Sequence, residues 1–122
     1  MDSLELSKKA MNLLDDKKAT GIISIDVSKV TTLTDYFVIC SGTSDRHRKS
    51  LADDVQELMD KEKLKMISKE GYGKANWILL DYGYLVVNIF SADSREKYNL
   101  ERLWSDGRLS DLRNINNAED IK

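Results

Sequence analysis

Residues 76–90 read "NWILLDYGYLVVNIF" and form the most apolar stretch of the chain. Apolar runs stand on both sides of Tyr82-Gly83, and glycine tolerates the positive φ that tight hairpin turns require. The stretch therefore predicts two antiparallel strands. If Tyr82 and Gly83 form a two-residue turn, Leu80 pairs with Leu85.

The two faces of this predicted hairpin differ in chemistry, because side chains alternate across a strand. One face is wholly aliphatic and predicts core: Ile78, Leu80, Leu85, Val87 and Ile89. The other mixes aromatic, aliphatic and polar groups: Trp77, Leu79, Asp81, Tyr84, Val86 and Asn88. An apolar centre with a polar rim is typical of a protein-binding surface. The alternative is that a helix covers this face and Trp77 is core. A three-residue loop would shift the pairing by one residue and change which residues of the second hairpin strand lie on this face.

Apolar periodicity elsewhere predicts the order helix, two strands, helix, three strands, helix. The first helix spans 3–18 with Asp2 as its cap, and the third begins with Ser94 as its cap. The continuous run "YFVIC" (36–40) predicts a central strand covered on both faces. These elements predict an α/β (α+β) fold in a single domain, a mixed sheet of about five strands flanked by helices.

The totals limit the class of protein. The length of 122 residues predicts one domain, to which we assign 1–107. The polar composition of 108–122 predicts a frayed tail. The net charge of −2 argues against a generally basic, nucleic-acid-binding surface, although it leaves room for a local basic patch. One cysteine allows no intramolecular disulfide, which favours a reducing, cytosolic setting. Early acidic residues argue against a signal peptide, and no apolar run approaches the ~20 residues of a membrane span.

Few residues suggest covalent or metal chemistry. Cys40 lies inside an apolar strand and predicts inert core, and His47 predicts a solvated residue in the first turn of a helix. A single cysteine and a single histidine are too few for a zinc site. The run "RHRK" (46–49) precedes acidic residues and predicts a solvated helix face. We predict no metal and no cofactor.

The segment "SGTSD" (41–45) joins a strand to a helix N-terminus, as an anion site does, and resembles the Gly-Ser turn of nucleotidyltransferases. Such enzymes also need two or three carboxylates for metal ions. Asp26, Asp35 and Asp81 are the candidates, but none has the close D-x-D spacing. Capping by Thr43 or Ser44 explains the turn without a ligand, so we predict that the chain is not an enzyme.

Three blocks resemble the ribosomal silencing factor (RsfS/Iojap) family: "LTDYFVICSGTSDRH" (33–47), "EGYGKANWILLDYGYLVVNIF" (70–90) and "SREKYNLERLW" (94–104). The resemblance implies an α/β domain with a mixed sheet, distantly similar to nucleotidyltransferases but without their activity. It also implies a translational repressor that binds the large ribosomal subunit through its protein L-fourteen. Blocking association with the small subunit then lowers translation when nutrients are short, and family members can form homodimers.

The family's contact surface, carried onto this chain, is Trp77, Leu79, Asp81, Tyr82 and Gly83, to which the mixed hairpin face adds Tyr84. The chain departs from the family at Asn88, where a histidine is usual, and at Tyr84, where Asp or Asn is usual. No transit extension is evident, so we expect a bacterial cytoplasmic protein with no membrane or specific small-molecule partner. Two alternatives stay open. A metal-dependent nucleotidyl transfer enzyme requires the three carboxylates to converge near 41–44, and a structural dimerisation module requires a second copy to cover the hairpin face.

Overall fold

The computed structural model describes residues 2–29, 31–103 and 108–111, and for 102–103 and 108–111 it describes the backbone only. The helices are α1 (Ser3–Asp16), α2 (Asp45–Lys61), α3 (Ala92–Tyr98) and α4 (Leu100–Leu103). The strands are β1 (Thr20–Asp26), β2 (Tyr36–Ser41), β3 (Ser68–Glu70), β4 (Trp77–Asp81), β5 (Leu85–Phe90) and β6 (Arg108–Asp111). Of the helices in these ranges, none has the length and apolar character to cross a membrane.

All six strands form one mixed sheet in the order β3-β4-β5-β2-β1-β6. β2 and β5 are parallel, and the other neighbours are antiparallel. The predicted fold class and element order are confirmed. One strand more is present than the five predicted: residues 108–111, assigned to the polar tail, pair with β1 as an edge strand. The rest of that predicted tail, 112–122, lies outside the described residues.

Side-chain caps start the three longer helices. Asp2 accepts a hydrogen bond from the Glu5 amide and Ser44 accepts one from His47, as predicted. For α3 the predicted cap is wrong, because Ser91 is the cap and accepts from the amide of Ser94. The helix therefore begins three residues earlier than predicted and ends at Tyr98, followed by the cap residue Asn99 in a left-handed conformation with φ of 45°.

The inner face of the sheet, the one under α1 and α2, carries the main core. Both helices contribute one apolar stripe, Leu6, Ala10, Met11 and Leu14 from α1 and Leu51, Ala52, Val55 and Met59 from α2. The strands contribute Val38, Cys40, Ile78, Leu80, Leu85, Val87 and Ile89. All five residues of the aliphatic hairpin face lie in this core, so that prediction is confirmed.

The opposite face, called the outer face here, is covered less completely. It comprises Ile25, Phe37, Ile39, Trp77, Leu79, Asp81, Val86, Asn88 and Phe90. A smaller core of Ile25, Val27, Ile39, Phe90 and Leu100 lies on it, with Phe37 and Trp77 packed against its edge. The seven-residue helix α3 has no buried residue. The partly exposed part of the outer face therefore lies on β4, because every residue of β5 is buried.

The hairpin has a different turn from the one predicted. Leu80 pairs with Val87 instead of Leu85, and Asp81 pairs with Val86. Residues 82–84 connect the strands, and the Tyr82 amide donates to the Leu85 carbonyl across the turn. The predicted two-residue turn is wrong by a shift of two residues. Because side chains alternate with a period of two, this shift leaves every residue on its predicted face.

Candidate partner-binding face

Trp77 lies at the first position of β4, where the covered part of the outer face meets the partly exposed part, and is half-buried. Its ring stacks on Phe90 with centroids 4.9 Å apart, and Tyr98 of α3 lies 4.8 Å away on a tilted plane. The sequence offered two interpretations of Trp77, a partner-facing residue or core under a helix. In the structure the indole is neither fully exposed nor core. Tyr98 of α3, itself 47% exposed, covers part of the indole.

Asn88 fixes the orientation of that indole. The Trp77 Nε1–H donates to Asn88 Oδ1 at 2.9 Å. Indole can only donate, so the amide oxygen has to face it. Asn88 is 1% exposed, and its Nδ2 has no hydrogen-bond partner within the described part of the chain. Asn88 therefore supplies the acceptor that holds the tryptophan.

Leu79 and Asp81 continue the outer face along β4, and both are half-buried. Leu79 lies opposite Asn88 in the register. Asp81 Oδ1 accepts from the Gly83 amide at 2.8 Å, and Gly83 has φ of +92°. This Asx-type bond, together with the left-handed glycine, stabilises the turn between β4 and β5.

Tyr84 projects from that turn and is 49% exposed. Its carbonyl accepts from the amides of Asp35 and Tyr36, each at 3.1 Å, so its backbone is held by the start of β2. An exposed aromatic on a fixed backbone loses little entropy when a partner covers it. Trp77, Leu79 and Asp81 thus share the outer face of β4, and Gly83 and Tyr84 lie in the turn at its far end.

Tyr82 is separated from these five residues. Its side chain is 4% exposed and belongs to the core under α1 and α2, on the opposite side of the sheet. Burial, with the negative charge of Asp60 as a smaller cause, raises the pKa of Tyr82 to about 12. The phenol oxygen has no hydrogen-bond partner among the residues described. Tyr82 is an odd number of residues from Trp77, so strand alternation predicts that the two side chains lie on opposite faces of the sheet.

A cleft of about 580 Å³ lies at the other end of β2, where the N-termini of α2 and α3 meet. Its donors already have partners. The Thr43 amide donates to His47 Nδ1 at 3.0 Å, and His47 Nε2 lies 2.9 Å from the Lys17 carbonyl. His47 is therefore half-buried between α1 and α2, and the prediction of a solvated residue is wrong.

Arg48 was missed in the sequence because "RHRK" suggested an exposed face. It is 6% exposed, and its guanidinium donates to the carbonyls of Gly42 and Ala75 and to the Asp45 carboxylate. It holds the loop before β4, in which Ala75 has a left-handed φ of 59°. A cation in the first turns of a helix opposes the helix dipole, and this was the available signal of a specific role.

The three candidate carboxylates do not meet at the cleft. Asp26 pairs with Tyr36 at the first residue of β2, Asp35 precedes that residue, and Asp81 lies at the same end of the sheet. Residues 41–44 begin five residues further along β2, about 17 Å away at the usual strand rise. Asp26 Oδ1 and Asp35 Oδ2 accept from Ser28 and Ser3. Among the described residues no acidic, cysteine and histidine cluster suitable for a metal is present.

Cys40 is fully buried in the inner core, as predicted. Burial, opposed weakly by the positive charge of Arg95, raises the pKa of its thiol to about 12 from 9.0. The thiolate that nucleophilic chemistry needs is therefore disfavoured at neutral pH.

Comparisons with known proteins agree on one family. A family model described as "Ribosomal silencing factor during starvation" matches residues 1–122. The chain is 37% identical to ribosomal silencing factor RsfS of Bacillus subtilis over 112 residues, which cover 92% of this chain and 95% of that protein. A crystal structure of a protein from Chromobacterium violaceum matches with a TM-score of 0.83 at 34% identity, covering 86% of this chain and 88% of that one. A mouse protein named for mitochondrial assembly of the ribosomal large subunit is 33% identical over 98 residues, 78% of this chain and 43% of that protein.

Proposed function

The chain belongs to the ribosomal silencing factor family, and from this membership we propose that it represses translation by binding the large ribosomal subunit through protein L-fourteen. Bound there, it blocks association with the small subunit, and translation falls under nutrient limitation. We place this activity in the bacterial cytoplasm.

The observation that carries the proposal is the composition of the partly exposed outer face. Leu79 supplies accessible apolar surface beside the buried Val86, Trp77 and Tyr84 supply aromatic rings, and Asp81 supplies a polar rim. Protein interfaces of standard size have this arrangement, and aromatic residues carry much of their binding energy. Tyr82 supports the face from the core side instead of contacting the partner.

Preorganisation favours this face as a binding surface. Trp77 is held by a hydrogen bond to Asn88 and by ring contacts with Phe90 and Tyr98. A partner that docks on it does not need to order a mobile ring, so less binding free energy is lost to entropy.

A steric mechanism is sufficient for repression. A folded chain of 122 residues has a radius of gyration of about 14 Å. A body of that size on the intersubunit surface prevents close approach of the small subunit, and no catalysis is needed. The metal-dependent transfer alternative is disfavoured, because Asp26, Asp35 and Asp81 lie at the opposite end of β2 from the 41–44 turn.

An order-of-addition experiment tests the mechanism. Separated subunits are mixed with the protein before or after joining, and assembled ribosomes are quantified by sucrose-gradient sedimentation. We expect assembly and peptide synthesis to fall when the protein is added first, and to fall much less when it is added to joined ribosomes. Equal inhibition of preassembled, translating ribosomes would contradict occlusion.

The homodimer is a further part of the proposal. A second copy could cover the same outer face, since its apolar surface is not fully covered by α3. Sedimentation velocity with and without protein L-fourteen tests this competition. We expect L-fourteen to dissociate any dimer that uses this face, whereas a dimer that persists in the complex uses another surface.

A further inference from the structure

A groove of about 310 Å³ lies beside the outer face, between the β3–β4 loop and α3. Trp77 and Tyr98 form its aromatic wall, and Lys74 and Lys97 line it with positive charge. The binding face proposed above does not include α3 or this loop. The groove is therefore a separate feature that adjoins that face through Trp77.

Tyr98 gives the groove an accessible flat surface. Its ring contacts Trp77 on one side, and 47% of the residue stays exposed. The Nζ of Lys97 lies 5.5 Å from the centroid of this ring. Lys97 thus lies over the ring that Trp77 supports, and the exposed part of this ring can stack a second planar group once the flexible lysine side chain moves aside.

The two lysines concentrate charge in a protein whose net charge is −2. Both residues are exposed, and neither forms an ion pair with another residue in the described ranges. They are free to neutralise an anion without first breaking a salt bridge. The groove thus differs in charge from the acidic protein around it.

The groove is also one end of a longer trough. Asn76 and Ser94 line both this groove and the 580 Å³ cleft at the end of β2. The cleft adds the hydroxyl groups of Ser41, Thr43 and Ser91, which already bond to Arg95, His47 and the Ser94 amide. The Arg48 guanidinium and the Asp93 carboxylate also line it. A polar trough that extends beyond its aromatic end accommodates a chain better than it accommodates a compact small molecule.

We infer that this groove takes an unpaired nucleotide of the large-subunit RNA when the protein sits on its proposed site; the inference rests on the proposed function. The base stacks on Tyr98, and the flanking phosphates lie against Lys74 and Lys97. Aromatic stacking with lysine contacts to the backbone is the usual way in which proteins hold single-stranded RNA. An acidic side chain of a protein would satisfy the lysines but leave the Tyr98 ring uncovered, so RNA is the better match.

The test measures affinity against salt concentration for two probes, purified large subunits and isolated protein L-fourteen. Each single-strand phosphate contact contributes about 0.7 to the slope of log K against log salt. For Lys74→Ala/Lys97→Ala we expect the subunit slope to fall by about 1.4, which is about 25-fold in affinity at 0.1 M salt. Affinity for isolated L-fourteen should stay within about twofold. The matched control is Lys61→Ala/Lys65→Ala, two exposed lysines at the end of α2, and it should leave both slopes unchanged.

A second pair of variants tests the stacking. Tyr98→Phe keeps the ring and should bind subunits like the wild type, whereas Tyr98→Leu keeps an apolar cover over Trp77 but should bind about 5- to 150-fold more weakly. An unchanged subunit slope in Lys74→Ala/Lys97→Ala, with wild-type binding intact, would overturn the inference. A parallel loss for both probes would also overturn it, because the groove would then be a protein contact. Failure of the wild type to bind subunits or L-fourteen would defeat the proposed function itself and this inference with it.

Discussion

The indole Nε1–H of Trp77 donates to the Oδ1 of Asn88, 2.9 Å away across two neighbouring strands of the outer face. This bond lies at the point where the covered part of the face meets the exposed part. It therefore links the stability of the fold to the orientation of the residue that we place in the interface.

Replacement of Asn88 by leucine should cost about 1–3 kcal/mol of unfolding free energy, because a half-buried indole N–H loses its acceptor. Urea denaturation measures this loss. Asn88→His offers a ring nitrogen as acceptor and should lose less. Equal stability of the leucine variant and the wild type would show that the indole N–H finds another acceptor.

Gly71→Ala should destabilise the protein strongly. Gly71 has φ of +79°, and a Cβ there would lie 2.0 Å from the carbonyl oxygen of Trp77. The left-handed conformation alone costs of order 1–3 kcal/mol, and the clash with backbone adds to it. Gly73→Ala is the matched control, since no atom lies within 4 Å of its Cβ position, and it should change stability by less than about 0.5 kcal/mol. Similar melting temperatures for the two variants would contradict this conformation of the loop.

Tyr82→Phe and Tyr84→Ala should differ in their effect on L-fourteen binding, although the two tyrosines lie in the same turn. Removal of the Tyr82 hydroxyl, which is buried and has no partner in the described part of the molecule, should leave both stability and L-fourteen affinity nearly unchanged. Tyr84→Ala should leave stability within about 0.5 kcal/mol but weaken binding, because the exposed ring is an interface residue in our proposal. Calorimetric titration with isolated L-fourteen compares them. If only Tyr82→Phe bound more weakly, Tyr82 instead of Tyr84 would be the residue that contacts L-fourteen.

Alkaline pH should destabilise the fold through Cys40. The folded pKa of about 12 lies above the unfolded value of 9.0, so the neutral thiol is favoured in the folded state. Its contribution to stability is full below about pH 9 and is lost between pH 9 and 12, at up to about 1.4 kcal/mol per pH unit. Urea denaturation from pH 7 to 10 measures the slope. Cys40→Ala should be less stable throughout but show a smaller fall above pH 9, and an identical fall would assign the effect to other groups.

The two faces of the hairpin could be predicted from sequence because alternation depends only on residue parity. The turn could not be predicted, since it depends on the hydrogen bond that the Gly83 amide donates to the Asp81 carboxylate and on the positive φ of that glycine. The shift of two residues left the faces correct, whereas a shift of one would have exchanged them.

Contacts between distant segments account for most of the other differences. Arg48 reaches the carbonyl of Ala75, and His47 reaches that of Lys17, so neither side chain is solvated as the local sequence suggested. The cover of Trp77 by Tyr98 joins residues 21 positions apart. Local patterns do not encode such pairs, and no periodicity could have separated a fully exposed tryptophan from a half-covered one.

The most direct test is the affinity of isolated protein L-fourteen for the wild type and for Trp77→Ala, measured at a temperature where melting curves show both proteins folded. We expect a loss of stability of about 2–3 kcal/mol, less than the 3–5 kcal/mol of a fully buried aromatic, because the ring is half-buried. We expect affinity to fall roughly 30- to 1000-fold, as for an aromatic residue at the centre of an interface. Tyr72→Ala is the control, since Tyr72 packs against the inner core and should lose stability but keep affinity. Unchanged affinity of the folded Trp77→Ala protein would contradict the central claim that the outer face of the sheet binds L-fourteen.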